Sequence, residues 1–402
     1  MARRSGAGDG EPVRVLIACD HMDFDGALHG GGRQLIELTR ALDRDSIEPT
    51  VCVLRSPSAL GVELQREGLP LHFLGDGRFN PVTLAKLVRL IKRARIEVLH
   101  LTDFGACTFG RLAGSLTGTP AMVQVISHHS EFTARGFPPY VELAYRVLAP
   151  STSRALAISP SVKEFAVQHM GFAPEDVEVL YYPLPSHSFA EPTPESVTEL
   201  RERLGIAADD PVIGAVTRFH PVKGIRYLVE AFARLSREYP RARLILVGQG
   251  PEEERLRRQV RELGVERQVV FAGFQRDVQR YVKLFSVSVV PSLEEGFGLV
   301  ALESLALGIP VVASRLGGLP DVVDHGKTGL LVEPADPDAI TAGIARILGD
   351  RDLHRLMSEA GPAAAQRYSL DGYAGRLTEI YQELAMSGTS RATISTSALQ
   401  PQ

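Results

Sequence analysis

Short apolar runs separated by amphipathic stretches of helical length set the rhythm of this chain. Val13-Arg14-Val15-Leu16-Ile17-Ala18-Cys19 is the first run, and residues 50–54, 71–74, 97–101, 121–126 and 155–159 repeat it. Each is too short for a helix and too continuously apolar for a one-sided strand, so each predicts a strand covered on both faces. Strand and helix therefore alternate, which predicts a parallel sheet with crossover helices. Pro183-Leu184-Pro185 and Glu191-Pro192-Thr193-Pro194 interrupt the rhythm and predict a linker. It resumes at 211–217, 242–247, 268–271, 287–290, 310–313 and 329–332, predicting a second parallel sheet. The expected organisation is α/β, with Rossmann-like domains at 1–190 and 191–370 and a closing helix at 371–386. Leu377, Ile380, Tyr381 and Leu384 give that helix an apolar stripe for docking. The Ser- and Thr-rich stretch 387–402 is expected to be a disordered tail. Ligands of such sheets sit outside the strands' carboxyl ends, so the site is expected in a cleft between the domains.

Composition narrows the classes. A chain of 402 residues with 44% hydrophobic content fills two cores. Its net charge of −4 offers no general attraction to nucleic acid. No apolar run reaches the roughly 18 residues of a membrane span, and the first residues lack the apolar segment of a secretory signal. A cytoplasmic protein is expected. Cys19, Cys52 and Cys107 are far apart and read as small core residues, neither disulfide nor zinc ligands. Lys86, Arg89 and Arg93 recur at i, i+3 and i+7, opposite Leu84, Leu87, Val88 and Ile91. That cationic face suits peripheral contact with an anionic inner membrane face, although a solvated helix face explains it as well.

The chemistry concentrates in Ser292-Leu293-Glu294-Glu295-Gly296-Phe297-Gly298-Leu299-Val300-Ala301-Leu302-Glu303. A strand ends at Pro291, glycines turn the chain, and helical spacing restarts at Leu299, so the amides of Gly296 to Leu299 open a helix. A helix start presents unpaired donors and favours an anion such as a diphosphate. Glu295 and Glu303 would repel that anion but accept hydrogen bonds from hydroxyls; phosphates joined to polyol rings describe a nucleotide sugar. Arg218 and Lys223 follow the first strand of the second domain and bring a planar fork and a mobile point charge to the same anion. His29-Gly30-Gly31-Gly32 precedes a helix expected to begin near Leu35 and reads as a loop allowing close backbone approach to a ligand. Ser127-His128-His129 follows another strand and offers His128, or equally His129, to a sugar hydroxyl. No third ligand stands at metal-binding spacing.

Arg218 with Lys223-Gly224, Gly273-Phe274, the run from Pro291 through Glu303 to Gly308-Ile309-Pro310, then Gly317-Gly318, Pro320 and Thr328-Gly329 resemble glycosyltransferase family 4. The resemblance is strong from Pro211 to Arg367. It implies the GT-B fold, two Rossmann-like domains facing each other across a cleft, with acceptor on the first and nucleotide sugar on the second. It implies a retaining, metal-independent transfer of a sugar to an acceptor hydroxyl on a glycan, lipid or small molecule, with no cofactor. Carried over by position, the catalytic residues are Arg218, Lys223 and Glu295. Donor-binding residues are Gly30, Gly31, His128, Phe274, Gly296, Phe297, Gly298, Leu299 and Glu303: Phe274 lies against the base and Glu303 bonds the ribose. Thr217 stands where the family has glycine, and Tyr182-Pro183-Leu184 replaces an Asn-Gly turn. A nucleotide-sugar-binding protein without turnover and a sugar-nucleotide epimerase are the alternative readings.

Overall fold

The computed structural model describes residues 11–24, 27–28, 30–75, 80–125, 139–184 and 191–397. They divide into two compact units, one built from residues up to 180 together with 370 onward, the other from 181–369.

The first unit carries β1 (Val13–Cys19), the short antiparallel pair β2 (Asp23–Phe24) and β3 (Ala27–Leu28), β4 (Ile47–Val53), β5 (Leu71–Phe73), β6 (Val98–Leu101), β7 (Ala121–Val125), β8 (Arg154–Ala157) and β9 (Val177–Val179). Apart from β2 and β3, these form one sheet in the order β5-β4-β1-β6-β7-β8-β9, every pairing parallel. Val15 to Cys19 are buried because helices cover both faces of the sheet. The sheet order reverses between β1 and β6, and there Asp20 accepts from the amides of Gly105 (3.0 Å) and Ala106 (2.7 Å). That carboxylate gives an acceptor to two otherwise orphaned donors at the start of the helix Phe104–Thr117.

The closing helix runs Leu370–Ser397 and belongs to the first unit; Leu377, Ile380, Tyr381 and Leu384 are buried. A buried polar chain fixes its rotation. Nε2 of His100 donates to Oε1 of Gln124 (2.7 Å), Nδ1 accepts from the Tyr381 hydroxyl (2.7 Å), and Nε2 of Gln124 donates to the Tyr373 hydroxyl (2.7 Å). Burial pushes the His100 imidazole down to about 4, so it is neutral at physiological pH. Arg376 adds a forked ion pair to Glu178 at 2.8 and 3.0 Å.

The second unit carries β10 (Val212–Val216), β11 (Arg243–Val247), β12 (Val269–Gly273), β13 (Val287–Val290), β14 (Val311–Ser314) and β15 (Gly329–Val332), in the order β12-β11-β10-β13-β14-β15, all parallel. On one side Phe219, Leu228, Phe232 and Leu235 pack with Ile340, Ile344 and Met357; on the other, Ile245, Val247, Tyr281, Phe285 and Leu307 form a second cluster. The chain leaves β10 outward to β11 and β12, then returns to β13 on β10's other side. The sheet order therefore reverses between β10 and β13, where α/β sheets bind ligands beyond the strands' carboxyl ends.

Three sequence expectations change. The boundary falls after Leu180 rather than after 190, because Tyr181 packs into the second unit, its hydroxyl donating to Asp321 at 3.1 Å. The closing helix continues to Ser397, through much of the stretch expected to be disordered; residues such as Arg391 and Ala392 carry little helix penalty once a packed stem precedes them. Gly30 and Gly31 do not form a loop: the helix Gly30–Ala41 begins with them. Glycine serves packing there, since a Cβ on Gly32 would lie 2.0 Å from the Met22 carbonyl oxygen.

Candidate functional site

The loops after β10 and β13 are tied by their backbones. Leu293 N–H donates to the Val222 carbonyl at 2.7 Å, and Glu294 N–H reaches the same oxygen at 3.3 Å. Gly224, at φ 64°, closes the first loop; a Cβ there would stand 1.9 Å from the Pro291 carbonyl oxygen. Only a residue without a side chain allows both the left-handed backbone and this approach.

That contact brings two of the expected site residues together. Nζ of Lys223 lies 2.9 Å from Oε2 of Glu295, and the buried hydroxyl of Ser292 donates to the same oxygen at 3.0 Å. The side chains are 28% and 17% exposed, so the pair is reachable from solvent. With both donors on Oε2, the other carboxylate oxygen is the one left for a ligand. Arg218 follows β10 at the same edge of the sheet, its side chain exposed. Its neighbour Phe219 is fully buried and exchanges backbone hydrogen bonds with Gln249 and Glu252, which pins the loop that carries Arg218. Thr217 is not among the described non-glycine residues with positive φ, so its Cβ sits on ordinary backbone.

The turn Glu295-Gly296-Phe297-Gly298 is held from beneath by the loop after β14. Gly318 N–H donates to the Glu295 carbonyl at 3.1 Å, and a Cβ on Gly317 would fall 1.8 Å from that oxygen. Phe297 turns its ring inward, buried, against Tyr181 and Tyr368 at centroid distances of 5.8 and 5.4 Å. Burial, with Asp321 beside it, pushes the Tyr181 hydroxyl up to about 12. Gly298, at φ 105°, is the N-cap of the helix Leu299–Ala306. Having no side chain, it makes no side-chain cap hydrogen bond, and the first-turn amides remain available to an anion. Glu303 lies on that helix and is only 5% exposed.

Phe274 follows Gly273 at the end of the edge strand β12 and is 45% exposed, an aromatic face uncovered by protein. Gly30 and Gly31 lie in the first unit at a helix start, and His128 and His129 fall outside the described residues. Sequence reasoning missed Ser292, whose signal was its place one turn before Glu295, and the aromatic support from Tyr181 and Tyr368, for which no local signal exists.

The family model described as Glycosyl transferases group 1 matches residues 196–364, and the model for Glycosyltransferase Family 4 matches residues 28–185. A D-inositol 3-phosphate glycosyltransferase of Acidothermus cellulolyticus is 37% identical over 96% of this chain and 89% of its own. The N-acetyl-alpha-D-glucosaminyl L-malate synthase of Bacillus anthracis is 26% identical over 75% of this chain and 85% of its own. Among solved structures, Anabaena Alr3699/HepE in complex with UDP superposes with a TM-score of 0.78 at 23% identity, covering 92% of this chain and all of that one. The sucrose-phosphate synthase of Thermosynechococcus elongatus also gives 0.78, at 22% identity over 94% of this chain.

Proposed function

Because the chain belongs to the family 4, group 1 glycosyltransferases and is a GT-B enzyme that transfers sugar from a nucleotide sugar, we propose that its chemistry runs through Lys223, Arg218 and Glu295. The observation that carries this reading is the Lys223–Glu295 pair at the β10/β13 reversal, beside the glycine-capped start of the helix Leu299–Ala306.

When donor binds, its diphosphate competes with Glu295 for Lys223. The ammonium moves to the diphosphate, where Arg218 and the amides of Phe297, Gly298 and Leu299 share the load. Glu295, still held through Oε2 by Ser292, turns its other oxygen to hydroxyls of the transferred sugar, while Glu303 takes the ribose and Phe274 the base. The acceptor hydroxyl attacks from the face the diphosphate leaves, with retention. Positioning and stabilisation of the leaving group supply most of the acceleration, and these cations meet its charge without a metal or other cofactor.

The first unit takes the acceptor, and Gly30, Gly31 and His128 help to hold the donor. The D-inositol 3-phosphate glycosyltransferase among the relatives makes a phosphorylated cyclitol the first acceptor to assay, before glycans and lipids. No helix among the described residues is long and apolar enough to cross a membrane. We place the enzyme in the cytoplasm with peripheral contact at the inner membrane face through Lys86, Arg89 and Arg93. The test is a transfer assay over UDP-, GDP- and ADP-sugars with and without acceptor. Product only with acceptor, and retained anomeric configuration, supports the reading; donor isomerised without acceptor defeats it.

A further inference from the structure

We propose that Tyr181 and Tyr368 are positioning residues for the transfer, a clamp that holds the Glu295 turn in place for the transferred sugar; the proposal rests on the reading of Glu295 given above. The segment 181–369 of the second unit begins at Tyr181 and ends one residue after Tyr368, so the two tyrosines stand at its two ends in sequence. The fold joins them. Leu184 N–H donates to the Tyr368 carbonyl at 2.7 Å, and the two rings meet edge to face at a centroid distance of 5.6 Å. Both hydroxyls converge on Asp321: Tyr181 donates to its Oδ1 at 3.1 Å and Tyr368 to its carbonyl at 2.5 Å. Asp321 lies just past Gly317-Gly318, and from it a backbone path leads to the site. Asp321 N–H donates to the Gly318 carbonyl at 3.2 Å, and Gly318 N–H donates to the Glu295 carbonyl at 3.1 Å. The rings supply a second path. Phe297, two residues past Glu295, packs on both tyrosines, and a Cβ on Gly318 would lie 2.6 Å from the Phe297 Cα, so the turn has no slack beneath it.

Packing alone would account for the rings but not for the hydroxyls. Phenylalanine fills the same space, and a phenol taken out of water costs free energy unless it finds a partner. Two phenols that both find Asp321 fix the direction in which the loop after β14 faces the Glu295 turn. Burial raises both of them, Tyr181 to about 12, so each stays a protonated donor at physiological pH. The sequence departs from its family at the same place, where Tyr182-Pro183-Leu184 stands for an Asn-Gly turn. A glycine there would leave the backbone free, whereas Pro183 fixes its own φ and Tyr182 is buried. The segment that carries Tyr181 is thereby stiffened. What the clamp sets is the direction of the Glu295 oxygen that Lys223 and Ser292 do not hold, and hydrogen bonds to sugar hydroxyls weaken steeply with misalignment. Lys223 and Arg218 belong to the other loop, so loosening the clamp costs sugar recognition more than diphosphate binding.

The test is titration calorimetry of wild type, of Tyr181→Phe with Tyr368→Phe, and of Tyr181→Leu. Each is titrated with UDP and UDP-glucose, GDP and GDP-mannose, and ADP and ADP-glucose, beside steady-state transfer and thermal melting. In the double variant, which keeps both rings, the ratio of nucleotide-sugar to diphosphate affinity falls at least about fivefold from wild type and kcat about tenfold, while diphosphate affinity stays within about twofold. Tyr181→Leu, which loses the ring as well, falls further. A double variant that only melts earlier, with the affinity ratio and kcat unchanged, reduces the tyrosines to packing and overturns the proposal. So does an equal loss of diphosphate and nucleotide-sugar affinity. A wild type that transfers no sugar contradicts the transferase reading, while the affinity ratio, read without turnover, still decides the clamp; the two failures are distinguishable.

Discussion

The ammonium of Lys223 lies 2.9 Å from Oε2 of Glu295, joining loops that leave two neighbouring strands 72 residues apart in sequence. An ion pair that solvent still reaches, its side chains 28% and 17% exposed, contributes little to stability, because solvent screens it and both side chains lose freedom. In the proposed mechanism its value lies in being exchangeable for a ligand. Lys223→Ala is therefore expected to leave the melting temperature within a few degrees of wild type and to lower kcat by about 10²–10³. Circular dichroism melting beside steady-state turnover checks both halves.

Ser292 holds the oxygen that Lys223 also holds. In the proposed mechanism Lys223 moves to the donor, which leaves Ser292 to orient Glu295. Ser292→Ala is expected to lower kcat severalfold while the donor KM changes little, because orientation matters most in the transition state. A purely structural role would instead appear as a lower melting temperature with unchanged kcat. The hydrogen bond to a charged group contributes on the order of 1.5–3 kcal/mol, enough for such a loss.

Gly317 and Gly224 support the turn from two sides. An added methyl at either would meet a carbonyl oxygen at under 2 Å on left-handed backbone. Gly317→Ala is expected to cost about 1–3 kcal/mol and to reduce donor affinity, because the Glu295 carbonyl must move. Denaturant unfolding and donor titration read these two effects separately.

Much of this was legible in the chain. The strands of both sheets stood out because burial on both faces makes them continuously apolar. Lys223, Arg218 and Glu295 could be named from the chain as candidates, since charged residues beside glycine turns at strand ends stand at the ligand-binding edge of such sheets. Their pairing was not, because it depends on the Gly224–Pro291 approach between segments distant in sequence. Gly30 and Gly31 misled, since glycine at a helix start looks the same in sequence as glycine in a loop. The short β2–β3 pair left no periodic trace. The His100 chain was equally hidden: a histidine in a strand acquires meaning only from Tyr381, 281 residues away.

His100 gives a pH dependence. Its imidazole falls from 6.5 in the unfolded chain to about 4 in the fold through burial, so the unfolded chain binds the extra proton between those values. The contribution is fully present above pH 6.5 and is lost as pH falls towards 4, on the order of 3 kcal/mol in total. The melting temperature is expected to drop across this window, and His100→Gln to flatten the drop. Equal slopes in wild type and variant would assign the acid sensitivity to other groups.

The exchange of Lys223 from Glu295 to a diphosphate is measured most directly by calorimetric titration of wild type and Lys223→Ala with nucleoside mono- and diphosphates of one base. Wild type should bind the diphosphate at least about tenfold more tightly than the monophosphate, and Lys223→Ala should lose most of that preference. A preference that survives unchanged in a folded Lys223→Ala protein contradicts the account.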